Sequence, residues 1–236
     1  MNKPLNDILI SRNLNTVQRY SLVRTNKSQS VSEHSFGVGV LTHLIFRDLE
    51  VFFEKWFSEN IKENPLTEDE FLGLMNSSEL YLVLSSMFHD FGEAVTGDII
   101  YPFKNSKHFS NEGERDYISE VFNETLFKRH LPLLLDFSHD NIDERISYFN
   151  SYLTKEVKDK IGVMWMFEFV CCLDSIIKYC DALELFIYTM EEIQSGNSLI
   201  RNIHDAGIQI LSNEKFKFIN ENSKVAKQIV REGYQS

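Results

Sequence analysis

Residues 169–187 read FVCCLDSIIKYCDALELFI, and this stretch decides the fold class. Its apolar side chains recur every three or four residues, which is the spacing of the buried face of an α-helix. The same spacing extends to about Asp159 on one side and to Ile193 on the other, so the sequence predicts one long helix. Gly196 follows shortly afterwards and is typical of a helix end.

The rest of the chain also carries a helical apolar pattern. Ser30 with Glu33, and Thr67 with Glu70, fit the capping box that opens a helix. A further helix is expected from about Asn111 to Phe127. Four prolines and ten glycines leave few forced helix breaks, and no stretch alternates with a period of two. We therefore predict an all-α fold.

The apolar pattern also predicts which faces of two of these helices are buried. In the helix after Ser30, the predicted inward residues are Phe36, Val40, Leu41, Leu44, Ile45 and Leu49. In the helix after Thr67, they are Leu80, Val83, Leu84, Met87 and Phe88.

Composition and charge narrow the class of protein. The 236 residues suffice for one domain, and we predict a single domain over residues 1–236. The net charge of −11 disfavours binding to a nucleic-acid polymer or to an anionic membrane. Three cysteines without a CxxC pair favour free thiols. The first residues lack the apolar core of a signal peptide, and we expect a cytoplasmic protein.

Two histidines and two aspartates stand out as candidates for chemistry. His89 and Asp90 are adjacent at the end of an apolar helix, and His34 opens another helix. Asp181 interrupts the apolar face of the long helix, where a carboxylate is costly unless it is paired or binds a metal. Asp174 is the rival carboxylate, but it lies two helical turns (roughly 10 Å) from Asp181.

This mixed set of nitrogen and oxygen ligands suits one divalent metal ion. With water in the open positions it fits an octahedral ion, and Mn²⁺, Co²⁺, Ni²⁺, Fe²⁺ and Mg²⁺ all remain candidates. The set lacks the thiolates of a structural zinc site.

Several short motifs, taken together, resemble one known family. They are Ser32-Glu33-His34-Ser35, Phe88-His89-Asp90-Phe91-Gly92-Glu93, Thr96-Gly97-Asp98, the segment from Lys178 to Glu184, and Glu191-Glu192 before Gly196-Asn197. In this order they resemble the HD-domain superfamily of metal-dependent phosphohydrolases. Within it they are most similar to the bacterial 5′-deoxynucleotidases.

The resemblance implies a fold and an activity. The fold would be a helical bundle of the HD-domain type, with insertions near residues 50–76 and 130–169. The activity would be the metal-dependent removal of the 5′-phosphate from deoxynucleoside monophosphates, so the partner is a small nucleotide. A homodimer is an open alternative. The implied metal ligands are His34, His89, Asp90 and Asp181.

The resemblance also implies catalytic and substrate-binding residues. Asp90 and Glu93 would be catalytic, with Glu93 as an acid–base group one turn beyond the metal pair. The implied substrate-binding residues are Arg19, Tyr20, Asp98, Ile99, Ile100, Tyr101 and Lys104. Where the family has Arg-Trp this chain has Arg19-Tyr20, and the residues after Asp98 also differ. The phosphate chemistry therefore transfers better than the substrate identity.

Two alternatives stay open at this point. An HD enzyme that cuts deoxynucleoside triphosphates is the nearer one, although it should show more Lys and Arg beside the metal motifs. A nucleotide-binding regulatory protein with a vestigial site is the other. The complete ligand set argues against that second alternative.

Overall fold

Helices make up most of the chain. The computed structural model describes residues 3–20, 23–98, 111–134 and 142–233. Within these four ranges no strand is formed, and one isolated β-bridge pairs Gln18 with Ser30. The prediction of an all-α fold is therefore confirmed. No helix in the described ranges combines the length and the hydropathy needed to cross a bilayer.

The helices are numbered here in chain order. The α-helices are α1 (Lys3–Asn13), α2 (Val31–Asp48), α3 (Glu50–Asn60), α4 (Glu68–Phe88), α5 (Glu93–Thr96), α6 (Asn111–Asn123), α7 (Leu131–Leu134), α8 (Ile142–Asn150), α9 (Lys155–Gln194), α10 (Arg201–Leu211), α11 (Lys217–Asn222) and α12 (Lys224–Gly233). Short 3-10 turns occupy Leu126–His130, Ser198–Ile200 and Glu214–Phe216.

The longest helix, α9, lies at the centre of the fold and packs against α2, α4, α8 and α10. The apolar pattern predicts inward positions at Phe169, Leu173, Ile176, Ile177, Cys180, Leu183 and Ile187; all are buried except Ile187, which is half-buried. The predicted long helix is therefore confirmed, although it begins earlier, at Lys155. Gly162 breaks its first turns with φ of 70° and ψ of 167°. The helix ends before Gly196, whose φ is 92°.

Both predicted capping boxes are present. The Ser30 hydroxyl accepts a hydrogen bond from the Glu33 amide, and the Glu33 carboxylate accepts one from the Ser30 amide. Thr67 and Glu70 make the same reciprocal pair at the start of α4. These bonds satisfy amide groups that have no partner within the helix. They fix where α2 begins, and thus where His34 lies.

The predicted buried faces of α2 and α4 are wrong in part. Leu41 and Ile45 on α2, and Leu49 just after its last residue, are buried as predicted. The apolar residues of these two helices that are exposed instead are Phe36 at 73%, Val40 at 44%, Leu44 at 44%, Leu80 at 47% and Met87 at 52%.

Small hydroxyl side chains explain this difference. Thr42, Ser78, Ser85 and Ser86 are fully buried on α2 and α4. Ser86 Oγ donates to Thr42 Oγ1 over 2.9 Å, and Ser78 Oγ donates to a backbone carbonyl of its own helix. Because the hydroxyl groups of Thr42, Ser78 and Ser86 are paired within the protein, these three residues can be buried at little cost. A pattern based on hydrophobicity alone assigns them to the surface.

An aromatic cluster supports the turn that follows α4. Phe91 packs against Phe122 and Phe127, with ring centroids 5.5 Å and 4.7 Å apart. The helix expected from Asn111 to Phe127 ends earlier, because Thr125 caps the next 3-10 turn by accepting from the Phe127 amide. This packing holds the segment that carries His89 and Asp90.

Replacing Gly162 with alanine should destabilise the protein. Its φ and ψ lie in a region that is essentially restricted to glycine, and a β-carbon there costs on the order of 1–3 kcal/mol. Gly73→Ala is the matched control, because Gly73 is helical and nothing lies within 4 Å of an added β-carbon. That control should be neutral or stabilising by up to about 1 kcal/mol. Urea unfolding followed by circular dichroism measures both, and equal stability of the two variants would contradict the expectation.

Candidate active site

Three helices bring two histidines and two aspartates together. His34 lies in the first turn of α2, His89 and Asp90 follow the last turn of α4, and Asp181 lies on α9. His34 Nε2 is 3.0 Å from Asp181 Oδ1 and 3.6 Å from Asp90 Oδ2. His89 Nε2 is 3.3 Å from Asp90 Oδ2 and 3.9 Å from Asp181 Oδ1. The ligand atoms of His34, His89 and Asp90 all lie within 4.8 Å of one another.

The hydrogen bonds of the two imidazoles fit a metal site. His89 Nδ1 is 2.7 Å from the Ser86 carbonyl oxygen, which can only accept, so Nδ1 carries the proton. His34 Nδ1 is 2.5 Å from Glu184 Oε2 and donates to that carboxylate. Both Nε2 atoms are buried, and neither makes a hydrogen bond of good geometry with a described residue. Both Nε2 atoms therefore face the same small space, and each offers a lone pair there once a metal ion displaces its proton.

The electrostatics of the cluster keep its two aspartates ionised. Burial lowers the pKa of His89, but the Asp90 carboxylate outweighs this and raises it to about 9. Burial also raises the pKa of Asp90, yet His89 and Arg19 hold it well below its usual range. The pKa of Asp181 is lowered against burial by His34. The two carboxylates are thus ionised and attract a proton or, in its place, a metal ion.

Arg19 points its guanidinium at this cluster. Its Nη1 is 3.9 Å from Asp90 Oδ2, is buried, and has no hydrogen-bond partner among the described residues. Burial lowers the pKa of Arg19, but Tyr20 and Asp90 raise it more, so the group stays charged. The Arg19 amide donates to the Gln29 carbonyl over 2.9 Å, which holds the backbone here. A buried cationic donor beside the cluster is suited to bind an anion.

Tyr20 lies next to Arg19 in a strained conformation. Its φ is 58°, which is in the left-handed region that most side chains avoid. The ring stacks on Tyr188, with centroids 5.1 Å apart and planes 13° apart. Its hydroxyl is buried without a hydrogen-bond partner among the described residues, and burial raises its pKa, so it remains a donor. Strained residues of this kind are often found at functional sites.

Glu184 supports the cluster and was not assigned a role from the sequence. Besides binding His34, it accepts from Gln29 Nε2 over 2.6 Å. Gly37 makes room for it, because a β-carbon there would lie 3.1 Å from Glu184 Cγ. Glu184 lies three residues after Asp181, on the same helix face. The argument that singled out Asp181, an acid on a buried face, applies to Glu184 equally.

Of the other predicted site residues, the structure describes Glu93 and Asp98 only. Glu93 opens α5 and is 8% exposed, and Asp98 is half-buried just beyond that helix. Ile99, Ile100, Tyr101 and Lys104 lie outside the described residues.

Asp174, the rival carboxylate, is engaged elsewhere. It is buried, forms an ion pair with Arg145, and accepts from the Tyr81 hydroxyl over 2.9 Å. Burial raises its pKa to about 6 in spite of Arg145. Neither Asp174 nor Asp181 belongs to the group of His34, His89 and Asp90 ligand atoms, but Asp181 Oδ1 lies 3.0 Å and 3.9 Å from the Nε2 atoms of His34 and His89. Its contacts are those of a structural ion pair.

Two matched substitutions distinguish the candidate metal ligand Asp181 from the structural ion-pair partner Asp174. Asp181→Asn should lose most of its bound Mn²⁺, because the amide removes an anionic ligand beside both imidazoles. Asp174→Asn should keep the metal but lose on the order of 3–5 kcal/mol of stability, because the buried Arg145 charge loses its counterion. Metal analysis after equilibrium dialysis and urea unfolding test the pair. Full metal content in Asp181→Asn would contradict the ligand assignment.

Comparisons with known proteins identify the family of the chain. The family model described as 5′-deoxynucleotidase YfbR-like matches residues 8–129. The 5′-deoxynucleotidases of Klebsiella pneumoniae and Salmonella arizonae are each 24% identical over 187 residues, which is 78% of this chain and 71% of the relative.

Two solved structures from archaea share the fold. A conserved hypothetical protein of Pyrococcus furiosus superposes with a TM-score of 0.56 at 17% identity, covering 96% of this chain and 99% of that one. A Pyrococcus horikoshii protein gives a TM-score of 0.56 at 16% identity, covering 96% and 98%. The family match spans more than half of the chain and confirms the resemblance of the motifs. The chain is a phosphohydrolase that belongs to the YfbR-like 5′-deoxynucleotidase family.

Proposed function

We propose that this chain removes the 5′-phosphate from deoxynucleoside monophosphates, with one divalent metal held by His34, His89, Asp90 and Asp181. The observation that carries the proposal is the pair of buried Nε2 atoms, both with their Nδ1 proton bound elsewhere and both beside Asp90. The family and the relatives named 5′-deoxynucleotidase support the substrate.

A divalent metal and Arg19 are proposed to act on different oxygens of the phosphate. A bound divalent ion supplies Lewis-acid polarisation of a phosphate oxygen and lowers the pKa of a bound water. Mn²⁺, Co²⁺, Ni²⁺, Fe²⁺ and Mg²⁺ are all compatible with the four ligands. The Arg19 guanidinium binds the phosphate from the side of Asp90, where its buried Nη1 lacks a partner among the described residues. Asp90 therefore lies between the proposed metal ligand His89 and the proposed phosphate ligand Arg19.

Glu93 is the proposed acid–base group. Hydrolysis forms a bond from water oxygen to phosphorus, breaks the bond from phosphorus to the 5′-oxygen, and leaves a proton on that oxygen. Glu93 is buried at the start of α5, four residues after His89. From there its carboxyl group is proposed to accept the water proton and to protonate the leaving 5′-oxygen.

Tyr20 is the proposed contact to the sugar. A ring at this position crowds the 2′ position, which favours deoxyribose over ribose. Asp98 is proposed to accept a hydrogen bond from a sugar hydroxyl. Ile99, Ile100, Tyr101 and Lys104 remain proposed substrate contacts.

A small nucleotide fits a cytoplasmic setting, which stays part of the proposal. Cys171, Cys172 and Cys180 are free thiols. Burial raises the pKa of Cys172 and of Cys180 to about 12, so both thiols stay protonated at neutral pH.

Glu93→Ala should keep its metal and lose most of its turnover. Loss of one acid–base group costs about 10² to 10⁴ in rate. Phosphate release from dAMP by the Mn²⁺-loaded protein gives kcat, and metal analysis gives occupancy. Glu120→Ala, an exposed glutamate on α6, is the control and should match the wild type. Normal kcat in Glu93→Ala with full metal would remove Glu93 from the mechanism.

The wild type should prefer deoxyribonucleotides. A steric contact with one group discriminates modestly, so kcat/KM for dAMP should exceed that for AMP by about tenfold to a hundredfold. Tyr20→Ala should narrow this ratio, and Tyr20→Trp should widen it. Tyr20→Phe is the control for the ring alone. Equal values for dAMP and AMP would show that Tyr20 does not act on the sugar, and faster release from dATP would favour the triphosphate reaction.

A further inference from the structure

The segment of residues 23–29 is held against α9 by one buried carboxylate. Glu192 is 1% exposed. Its Oε2 accepts from the Asn26 amide over 2.7 Å, and its Oε1 accepts from the Lys27 amide over 2.8 Å. Asn197 Nδ2 donates to Glu192 Oε2 over 2.7 Å and to the Arg24 carbonyl over 2.9 Å. Charge-assisted hydrogen bonds such as these are about twice as strong as neutral ones.

Tyr188 adds a second attachment, one turn earlier on α9. Its hydroxyl donates to the Lys27 carbonyl over 2.5 Å, and its ring stacks against the Tyr20 ring. We call Tyr188, Glu192 and Asn197 the loop anchor. Glu191, beside Glu192, differs from them, because it is half-exposed and pairs with the exposed ammonium group of Lys27.

The anchored segment ends at Gln29, which is hydrogen-bonded to the backbone of Arg19, the candidate phosphate ligand. Gln29 accepts from the Arg19 amide through its carbonyl and donates to Glu184 through its side chain. The Gln18–Ser30 bridge lies beside that contact. The backbone of Arg19 is therefore tied to α9 through the same segment that Glu192 holds.

One face of α9 carries these contacts except those of Asn197, which lies just beyond the end of the helix. Asp181, Glu184, Tyr188 and Glu192 follow one another at intervals of three, four and four residues, so they lie along one side of the helix. At 1.5 Å per residue, the eleven steps along the helix from Asp181 to Glu192 correspond to about 16 Å. The metal ligand and the attachment points of the segment thus share one rigid element.

We propose that the loop anchor sets the position of Arg19 and Tyr20 relative to the metal ligands, and that Tyr188, Glu192 and Asn197 are positioning residues for the substrate phosphate. The inference rests on the proposed function of Arg19 as the phosphate ligand. Burial raises the pKa of Glu192, but Asn197 and the two amides outweigh it and keep the pKa below its usual range. The anchor is therefore charged at neutral pH. A small misplacement of a binding group can cost a hundredfold in rate, so distant anchors matter.

The test compares Glu192→Gln with Glu191→Gln in the full-length, Mn²⁺-loaded protein. The carboxamide that replaces the Glu192 carboxylate cannot accept both backbone hydrogen bonds, so hydrogen exchange at Asn26 and Lys27 should become faster. Titration calorimetry should show weaker binding of inorganic phosphate by about tenfold to a hundredfold, with a similar loss in kcat/KM for dAMP. Metal content should not change, and Glu191→Gln should match the wild type in every measurement.

A double-mutant cycle with Arg19→Ala separates positioning from general destabilisation. If the anchor acts through Arg19, Glu192→Gln should weaken phosphate binding little further in the Arg19→Ala background. An equal fold-loss in both backgrounds would overturn the inference. Phosphate affinity equal to that of the wild type in Glu192→Gln, despite faster exchange at Asn26 and Lys27, would also overturn it. So would phosphate affinity in Arg19→Ala equal to that of the wild type.

Two further outcomes keep the conclusions distinct. If Glu192→Gln does not fold, Tyr188→Phe replaces it, because it removes the hydrogen bond to Lys27 and keeps the ring stack; unchanged phosphate binding would again overturn the inference. If the wild type releases no phosphate from any nucleotide while the differences in phosphate binding persist, the proposed function fails and the loop anchor stands.

Discussion

The hydrogen bond from His34 Nδ1 to the Glu184 carboxylate joins α2 to α9 where both are buried. A carboxylate in such a place is costly without a partner, so the pair fixes how close the two helices lie. Gly37 permits that approach because it has no side chain to displace Glu184. The same bond decides which nitrogen of His34 is left with a lone pair. Packing and chemistry are therefore set by one contact.

The acidic groups of the site require positive charge beside them. Asp90, Asp181 and Glu184 converge on the imidazoles, and Arg19 lies beside them. Like charges this close repel one another unless positive charge is placed between them. Arg19 supplies part of that charge and the proposed metal supplies more. This explains why an acidic protein of net charge −11 can still bind an anionic substrate at this point.

Sequence patterns predicted the long helix α9, both capping boxes, and the gathering of His34, His89, Asp90 and Asp181 around one space. These features depend on local periodicity or on short motifs. The predicted buried faces of α2 and α4 were partly wrong. Thr42 and Ser86 are buried instead, because their hydroxyl groups form a hydrogen bond with each other and need no water. The roles of Glu184 and Glu192 depend on contacts with residues far away in the sequence, which periodicity cannot reveal.

The left-handed backbone at Tyr20 has a consequence for how much its contacts must contribute. A non-glycine residue in that region is disfavoured by about 1–2 kcal/mol. The ring stack on Tyr188 and the hydrogen bond from the neighbouring Arg19 amide to the Gln29 carbonyl must offset that cost for Tyr20 to keep this conformation. A residue that adopts the left-handed region without strain, such as glycine, would need no such support. Part of the binding strength of these contacts is therefore spent on backbone geometry beside Arg19.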